Sequence, residues 1–442
     1  MAEERVFIET YGCQMNVYDT ELVKSILNKS GYELVPEEKA ADWVMMNTCS
    51  VREKANLKIY NRVHEIRQAR ANPNDVKIAL LGCMVTNLKT ELLEDKNLHI
   101  DLIAGPDSYK KLPTLMRDLN QTGDASFDVN LSEFETYEDV YPTRGEGVNA
   151  WIAIMRGCNN YCTFCVVPFT RGRERSRSPE SVVDEVKRLV DEGYQQVTLL
   201  GQNVNSYAHE DAKFVDLMDK VSQVEGIKRI RFTSPHPKDF PTDLLQLMRD
   251  RDNICKQIHL PLQAGNTRVL EKMNRTYSKE EFLDLAAEMR EIIPGLSLST
   301  DIIIGFPTET AEEFQDTVDV VQDVQFDSAY IFKYSERKGT TASRRFPDDV
   351  SADEKKRRIT ELNTIQKQIS LNKNQEKIGQ KQLVLVEEKG TKKDPHQLSA
   401  RNDANQIVIL DGIEAPFKVG DWVNTEITGA SANVLIGKAL QS

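Results

Sequence analysis

No apolar run in this 442-residue chain approaches the roughly 18 residues that a membrane-crossing helix needs. The opening stretch MAEERVFIETYG carries acids where a secretory leader would carry a basic patch and then a long apolar segment. Both absences point to a cytoplasmic protein with no membrane partner. Histidine is scarce, six in all, and none stands at finger-like spacing from a cysteine. Cysteine is scarce too, at seven. In a reducing compartment so few thiols read as ligands or reactive groups before they read as disulfides.

Positive charge is also in deficit. Lysine and arginine number 57 against 69 acids, a net charge of −12, which on its own argues against a nucleic-acid partner. The deficit is local, however. Residues 121–150 hold seven acids and one base, whereas the last 66 residues, from Lys377, hold eight of each sign. Basic clusters stand at RGRERSR (171–177), RKGTTASRR (337–345) and KKRR (355–358). Any one of them reads as a solvated face. Three leave a polyanionic partner open.

The pattern along the chain predicts an α/β multidomain protein. Residues 4–120 repeat one theme: the apolar runs RVFIETYGC, ADWVMMNTC and VKIALLGC end at Cys13, Cys49 and Cys83, and helix-like segments follow them. Such alternation predicts an N-terminal parallel α/β sheet, whose ligands gather beyond the strand C-termini. Residues 121–148 are acidic and turn-rich, as a linker would be. From 149 to 376, six strand candidates alternate with helices, for a central partial (β/α)6 barrel of the TIM type followed by a long charged helix leading away from it. Ser178 with Pro179, and Ser278 with Glu281, mark two helix starts. Residues 377–442 alternate in five short strands, the count for a small all-β barrel of a kind often used on oligonucleotides. A purely structural cap is the other reading of that barrel.

Two sets of three cysteines carry the chemistry. RGCNNYCTFC places Cys158, Cys162 and Cys165 in C-x-x-x-C-x-x-C spacing at the end of the first barrel strand. Cys13, Cys49 and Cys83 lie 36 and 34 residues apart, yet each occupies a strand end, so they can converge. A structural zinc needs a fourth ligand that no histidine is spaced to give. Iron–sulfur ligation fits better, and three thiolates on a cubane cluster leave one iron open to a small molecule. Cys255 has no ligand-like neighbour and reads as an inert buried thiol; His259 reads as a satisfied core residue.

On these motifs the chain resembles the radical S-adenosylmethionine superfamily, and from end to end its methylthiotransferase family. The resemblance implies a 4Fe–4S cluster on Cys158, Cys162 and Cys165, with S-adenosylmethionine on the open iron and Phe164 as the usual aromatic between the last two cysteines. It implies a second 4Fe–4S cluster on Cys13, Cys49 and Cys83, and a TRAM domain for the terminal barrel. Gln202, Asn203, Ser234 and Gln263, at barrel strand ends, become candidates for holding S-adenosylmethionine, and DIIIGFPTE (301–309) resembles the segment that flanks its adenosyl part. Arg171, Arg173, Arg175 and Arg177 are candidates for phosphate or S-adenosylmethionine. Lys389, Lys392, Lys393 and Arg401 are candidates for RNA on the terminal barrel.

TYGCQMNVYDTE, NTCSVREKA and LGQNVNSY are similar to the branch acting on transfer RNA. That branch implies methylthiolation of carbon 2 of an isopentenylated adenosine at position 37 of the anticodon loop, a flavodoxin or ferredoxin as reducing partner, and a monomer. A sibling branch acts on an aspartate of a small-subunit ribosomal protein and tends to Pro-Lys where this chain has Gln14 and Met15; a third acts on threonylcarbamoyladenosine in transfer RNA. The rival from another class is a non-catalytic RNA-binding protein whose metals are structural.

Overall fold

The computed structural model describes residues 4–50, 53–70, 72, 75–95, 98–145, 147–238, 240–390, 394–395, 397–411 and 417–440; Lys392, Lys393 and His396 lie outside them. The N-terminal unit is a six-stranded sheet of Arg5–Thr10, Glu33–Leu34, Trp43–Thr48, Lys77–Gly82, Leu102–Ala104 and Ser126–Asp128. All its pairings are parallel, and in space the second strand lies outside the first while the third to sixth follow on its other side. All six residues of WVMMNT are buried, as a strand covered on both faces requires. Met45 packs toward helix Gln14–Lys29 and Val44 and Met46 toward helix Glu53–Gln68, giving one core on each face.

Residues 121–148 are not the free linker that their composition suggests. Ser126–Asp128 adds the sixth strand, and Tyr137 is fully buried, its hydroxyl donating to the carbonyl of Pro106 at 2.9 Å and accepting from the amide of Tyr109 at 3.0 Å. Acidic, turn-rich composition marks surface exposure, and it does not register a single aromatic anchor.

The central unit is the expected open barrel. Its strands Asn149–Ala153, Gln196–Leu200, Arg229–Phe232, Gln257–His259, Ser297–Ile304 and Ser328–Lys333 run in chain order as two parallel three-stranded sheets, joined by the bridge Ile230–Ile254. First and last strands are not paired, so the barrel stays open along one side. Ser178 accepts from the amide of Ser181, and Ser278 forms a capping box with Glu281, so both predicted helix starts hold. The charged helix, Ala352–Gln375, does not lead away; it packs along Ser328–Lys333 and buries Leu362 and Ile369. Its KKRR cluster is largely consumed: Lys355 pairs with Asp348 and buried Arg358 with Glu309 and Glu354.

The C-terminal unit is a closed five-stranded barrel of Lys381–Lys389, Leu398–Arg401, Ile407–Leu410, Trp422–Ala430 and Val434–Ala439. It sits on the N-terminal ends of the central strands, opposite the face where ligands are expected. Arg231 reaches out to the carbonyls of Asn402 and Asp403 at 2.7 and 2.8 Å, Arg229 to that of Arg401 at 3.0 Å, and the amide of Lys256 donates to Asp403 at 2.9 Å. Trp422 lies under the Arg229 guanidinium at 4.6 Å and donates to Gln195. The barrel is thus capped from below. Arg401, a sequence candidate for RNA, is tied to Glu387 at 2.8 Å, while Lys389 is exposed.

Candidate metal centres between the sheet and the barrel

In the sheet, Cys13 caps the N-terminus of helix Gln14–Lys29, Cys49 follows Trp43–Thr48, and Cys83 opens helix Cys83–Asn87. Cys13 and Cys49 follow the first and third strands, between which the chain reverses its direction across the sheet. That is the crevice where open α/β sheets take ligands. Two glycines permit the approach. Gly12 has φ +128°, and a Cβ there would fall 2.5 Å from Cβ of Cys49; at Gly82, φ +91°, it would fall 2.4 Å from Oδ1 of Asn47. Beneath them Asn16 and Asn47 form a buried clasp: Asn16 donates to Asn47 Oδ1 (3.1 Å) and to the carbonyl of Thr48 (2.9 Å), and Asn47 donates back to the carbonyl of Asn16 (2.9 Å). The Cys13 thiol donates to Asn16 Oδ1 at 3.3 Å. A hydrogen bond with Cys49, helped by the charge of Arg171, brings the Cys13 thiol down to about 6, whereas burial pushes the Cys83 thiol up.

In the barrel, the loop of Cys158, Cys162 and Cys165 follows the first strand and is pinned at several points. The amide of Cys158 donates to the carbonyl of Gly172 (3.1 Å), that of Thr163 to Met273 (2.9 Å), and that of Ala342 to the carbonyl of Thr163 (2.7 Å). Gly157, φ +78°, is required here, because a Cβ would meet the Arg173 carbonyl oxygen at 2.0 Å. Arg275, buried, donates to Sγ of Cys162 at 3.4 Å. Burial pushes the thiols of Cys158 and Cys165 up to about 11 and about 12. A bound cation works in the opposite direction and favours the thiolate. Phe164 packs on the barrel core.

The polar strand-end residues share the mouth of the barrel but differ in what they leave free. Asn203 is engaged, its Oδ1 accepting from the amide of His236 at 3.2 Å. Oε1 of Gln202 is buried without a hydrogen-bond partner. Ser234 and Gln263 hold positive φ, +58° and +68°, a strained conformation for side-chain-bearing residues that clusters at working sites. His259 is satisfied, its Nδ1 within 3.0 Å of Ser299 Oγ, but it is only partly buried and so is not the core residue expected. Cys255 is buried.

The segments that carry the two cysteine sets are packed together. Helix Cys83–Asn87 packs against helix Val167–Thr170, which follows Cys165 directly. At the end of the latter, Arg171 turns back and donates through Nε to Cys83 Sγ at 3.0 Å. This corrects the sequence reading of RGRERSR. Arg171, Arg175 and Arg177 are buried and point inward: Arg171 pairs with Asp19 (2.8 Å), Arg175 with Asp107 (2.8 Å) and Arg177 with Glu185 (2.6 Å). Only Arg173 is exposed. A run of arginines does not announce Asp19 and Asp107, 152 and 68 residues away from their partners, so burial was illegible there.

Asp19 is the centre of this interface, and nothing in the sequence singles it out. Fully buried on helix Gln14–Lys29, it accepts from Arg156 (2.6 Å), Arg171 (2.8 Å) and the hydroxyl of Tyr109 (3.3 Å). Despite burial, Arg156 and Arg171 hold its carboxyl below the usual range. Among the described residues, Arg156, Arg171 and Arg175 pair with the carboxylates of Asp19 and Asp107 alone, and Nη1 of Arg171 and Nε and Nη1 of Arg156 are buried without hydrogen-bond partners. Unbalanced buried cations are costly. Thiolates ligated at Cys13, Cys49 and Cys83 would supply the missing anion, so the residues present fit a thiolate-bound cluster. Among the described residues no three His, Cys, Asp or Glu side chains are grouped as a single metal ion would need. A four-iron core spreads its ligand positions over several irons, so the ligand geometry of one ion is not what its thiolates must meet.

Comparison with known proteins agrees in all three units. Residues 152–321 match the radical SAM superfamily, residues 5–105 the Uncharacterized protein family UPF0004, and residues 375–440 the TRAM domain. The chain is 45% identical to a tRNA-2-methylthio-N(6)-dimethylallyladenosine synthase of Chloroherpeton thalassium, covering 99% of this chain and 96% of that one. It is 42% identical to the mitochondrial tRNA methylthiotransferase CDK5RAP1 of Mus musculus, over 99% and 81% of the two chains. Among solved structures, the radical S-adenosylmethionine methyltransferase TsrM of Kitasatospora setae aligns with a TM-score of 0.59 over 77% of each chain; at 15% identity the likeness is one of fold. No helix among the described residues is long and apolar enough to cross a membrane.

Proposed function

From a chain that belongs to the tRNA-2-methylthio-N(6)-dimethylallyladenosine synthase family within the radical SAM superfamily, we propose methylthiolation of carbon 2 of N6-isopentenyladenosine at position 37 of transfer RNA. The observation that carries this reading is that helix Cys83–Asn87, which opens with one cysteine of the first set, packs against helix Val167–Thr170, which follows the second set. Carbon 2 of adenine bears a hydrogen that no side-chain base removes, so the hard step falls to a cofactor. A 4Fe–4S cluster with S-adenosylmethionine, the cofactors of this superfamily, supplies that chemistry when bound.

The protein's part is to hold and orient. Cys158, Cys162 and Cys165 would hold the cluster that binds S-adenosylmethionine, with the free acceptor of Gln202 and the strand-end residues Asn203, Ser234 and Gln263 around the latter. Cys13, Cys49 and Cys83 would hold a second 4Fe–4S cluster. The substrate base would approach by the exposed edge-to-face pair Tyr161 and Phe169, 6.4 Å apart, which flank the barrel cysteines. Unstacked loop bases are commonly read by such aromatic faces. Exposed Arg173, Arg344 and Arg345 surround the same loop and suit phosphate. A flavodoxin- or ferredoxin-like donor, a monomeric state and a cytoplasmic setting belong to the same reading.

Mass spectrometry of transfer-RNA nucleosides from cells lacking the protein tests it. The 2-methylthio mark should vanish while N6-isopentenyladenosine accumulates. An unchanged nucleoside profile would refute the assignment.

A further inference from the structure

We infer that Arg171, supplied by the barrel, completes the thiolate site of the N-terminal sheet and acts there as a positioning residue that sets the reduction potential of the cluster. The inference rests on the reading that Cys13, Cys49 and Cys83 hold a cluster, and it assigns a role to a residue of the other unit.

The geometry is specific. Arg171 is 3% exposed, and its backbone is tied on both sides: its amide donates to the carbonyl of Val167 (2.8 Å) and its carbonyl accepts from Arg175 Nη1 (3.2 Å). Its guanidinium then does two things at once. Nε donates to Cys83 Sγ at 3.0 Å, and Nη2 is clamped by Asp19 at 2.8 Å, leaving Nη1 buried without a partner. Asp19 is itself fixed by Arg156, two residues before Cys158. A planar fork held by a carboxylate cannot swing away from the sulfur as a flexible ammonium would. Hydrogen bonds and positive charge at a ligating sulfur favour the reduced, more negative cluster, and so raise its potential. The barrel cysteines have a separate arginine, Arg275 at Cys162, so an effect of Arg171 should be confined to the other site.

A purely structural role, gluing two units together, would leave the potential alone. The test is therefore a redox titration, followed by electron paramagnetic resonance, in the full chain carrying Cys158→Ala, Cys162→Ala and Cys165→Ala. If this parent binds no iron, the cluster reading of the N-terminal site fails, and the inference with it. Given a cluster, Arg171→Gln should disfavour reduction about tenfold, a fall of about 59 mV for a one-electron couple. Arg171→Lys should fall part of the way, and Asp19→Asn, which frees the guanidinium of its counter-charge, should move the potential upward. An iron-loaded Arg171→Gln with the parent's potential overturns the inference. Should that variant lose its iron, an unchanged potential in Arg171→Lys overturns it equally.

Discussion

Replacing Asp19 by Asn keeps the shape of the side chain and removes one charge, and the structure fixes what that should cost. The carboxylate is fully buried and is the ion-pair partner of both Arg156 and Arg171. Removing one member of a buried pair costs about 3–5 kcal/mol, mostly because the remaining charge stays buried. In urea, at a slope of about 2 kcal/mol per M, that is a midpoint lower by about 2 M. The three tryptophans make the measurement local, since Trp43 lies in the sheet, Trp151 in the first barrel strand and Trp422 in the terminal barrel. A protein retaining only Trp43 reports the sheet, and one retaining only Trp151 the seam where the first barrel strand packs on the sheet's core. In metal-free Asp19→Asn the Trp43 midpoint should fall about 2 M below that of the parent, and Asp19→Asn with Arg171→Gln should lose less than the sum of the single losses. The pH dependence has a definite sign. The carboxyl is held below its ordinary value of 3.8, so its stabilisation is fully present above that value and is lost as pH falls through the lower folded value. A loss within about 0.5 kcal/mol, as at an ordinary surface site, would refute this account of the interface.

Alanine at Cys158, Cys162 and Cys165 together should halve bound iron and abolish S-adenosylmethionine cleavage; release of 5′-deoxyadenosine by that variant would contradict the assignment. Alanine at Cys13, Cys49 and Cys83 should also halve the iron but leave cleavage intact and stop sulfur insertion, as read by nucleoside mass spectrometry. Alanine at Arg173, Arg344 and Arg345 should weaken transfer-RNA binding and flatten its salt dependence, by about 0.7–0.9 in log–log slope for each phosphate that is no longer neutralised; filter binding across salt concentrations decides, and an unchanged slope removes these residues from the RNA face.

What could be read from the sequence follows from how local its cause is. Strand ends at Cys13, Cys49 and Cys83, the capped helix starts and the five short terminal strands are set by period and turn chemistry within a few residues. Their positions needed no tertiary information. The charged interface is the opposite case. Asp19 looks like any acid in VYDTEL, and its burial depends on Arg156 and Arg171, 137 and 152 residues away. KKRR is intermediate. Lys355 and Arg358 are three apart and share a helix face, both buried, while Arg357 is turned to solvent between Glu354 and Glu361. That spacing was legible; the carboxylates waiting opposite were not. Nothing in the alternating terminal strands says which end of the barrel they cover.

The cap beneath the barrel also sets an order of events during synthesis. Arg229 and Arg231 look out from the barrel floor toward carbonyls of residues 401–403, which are made long after the arginines themselves. At roughly 5–20 residues per second, some 170 residues correspond to about ten to thirty seconds. For that interval the nascent barrel has strands and helices but an open floor, and Arg231 and the Cys255 thiol lack Asp403, their neighbour in the folded chain. A ribosome stalled before residue 401 would therefore present Cys255 to a thiol-reactive probe, and the released chain would hide it.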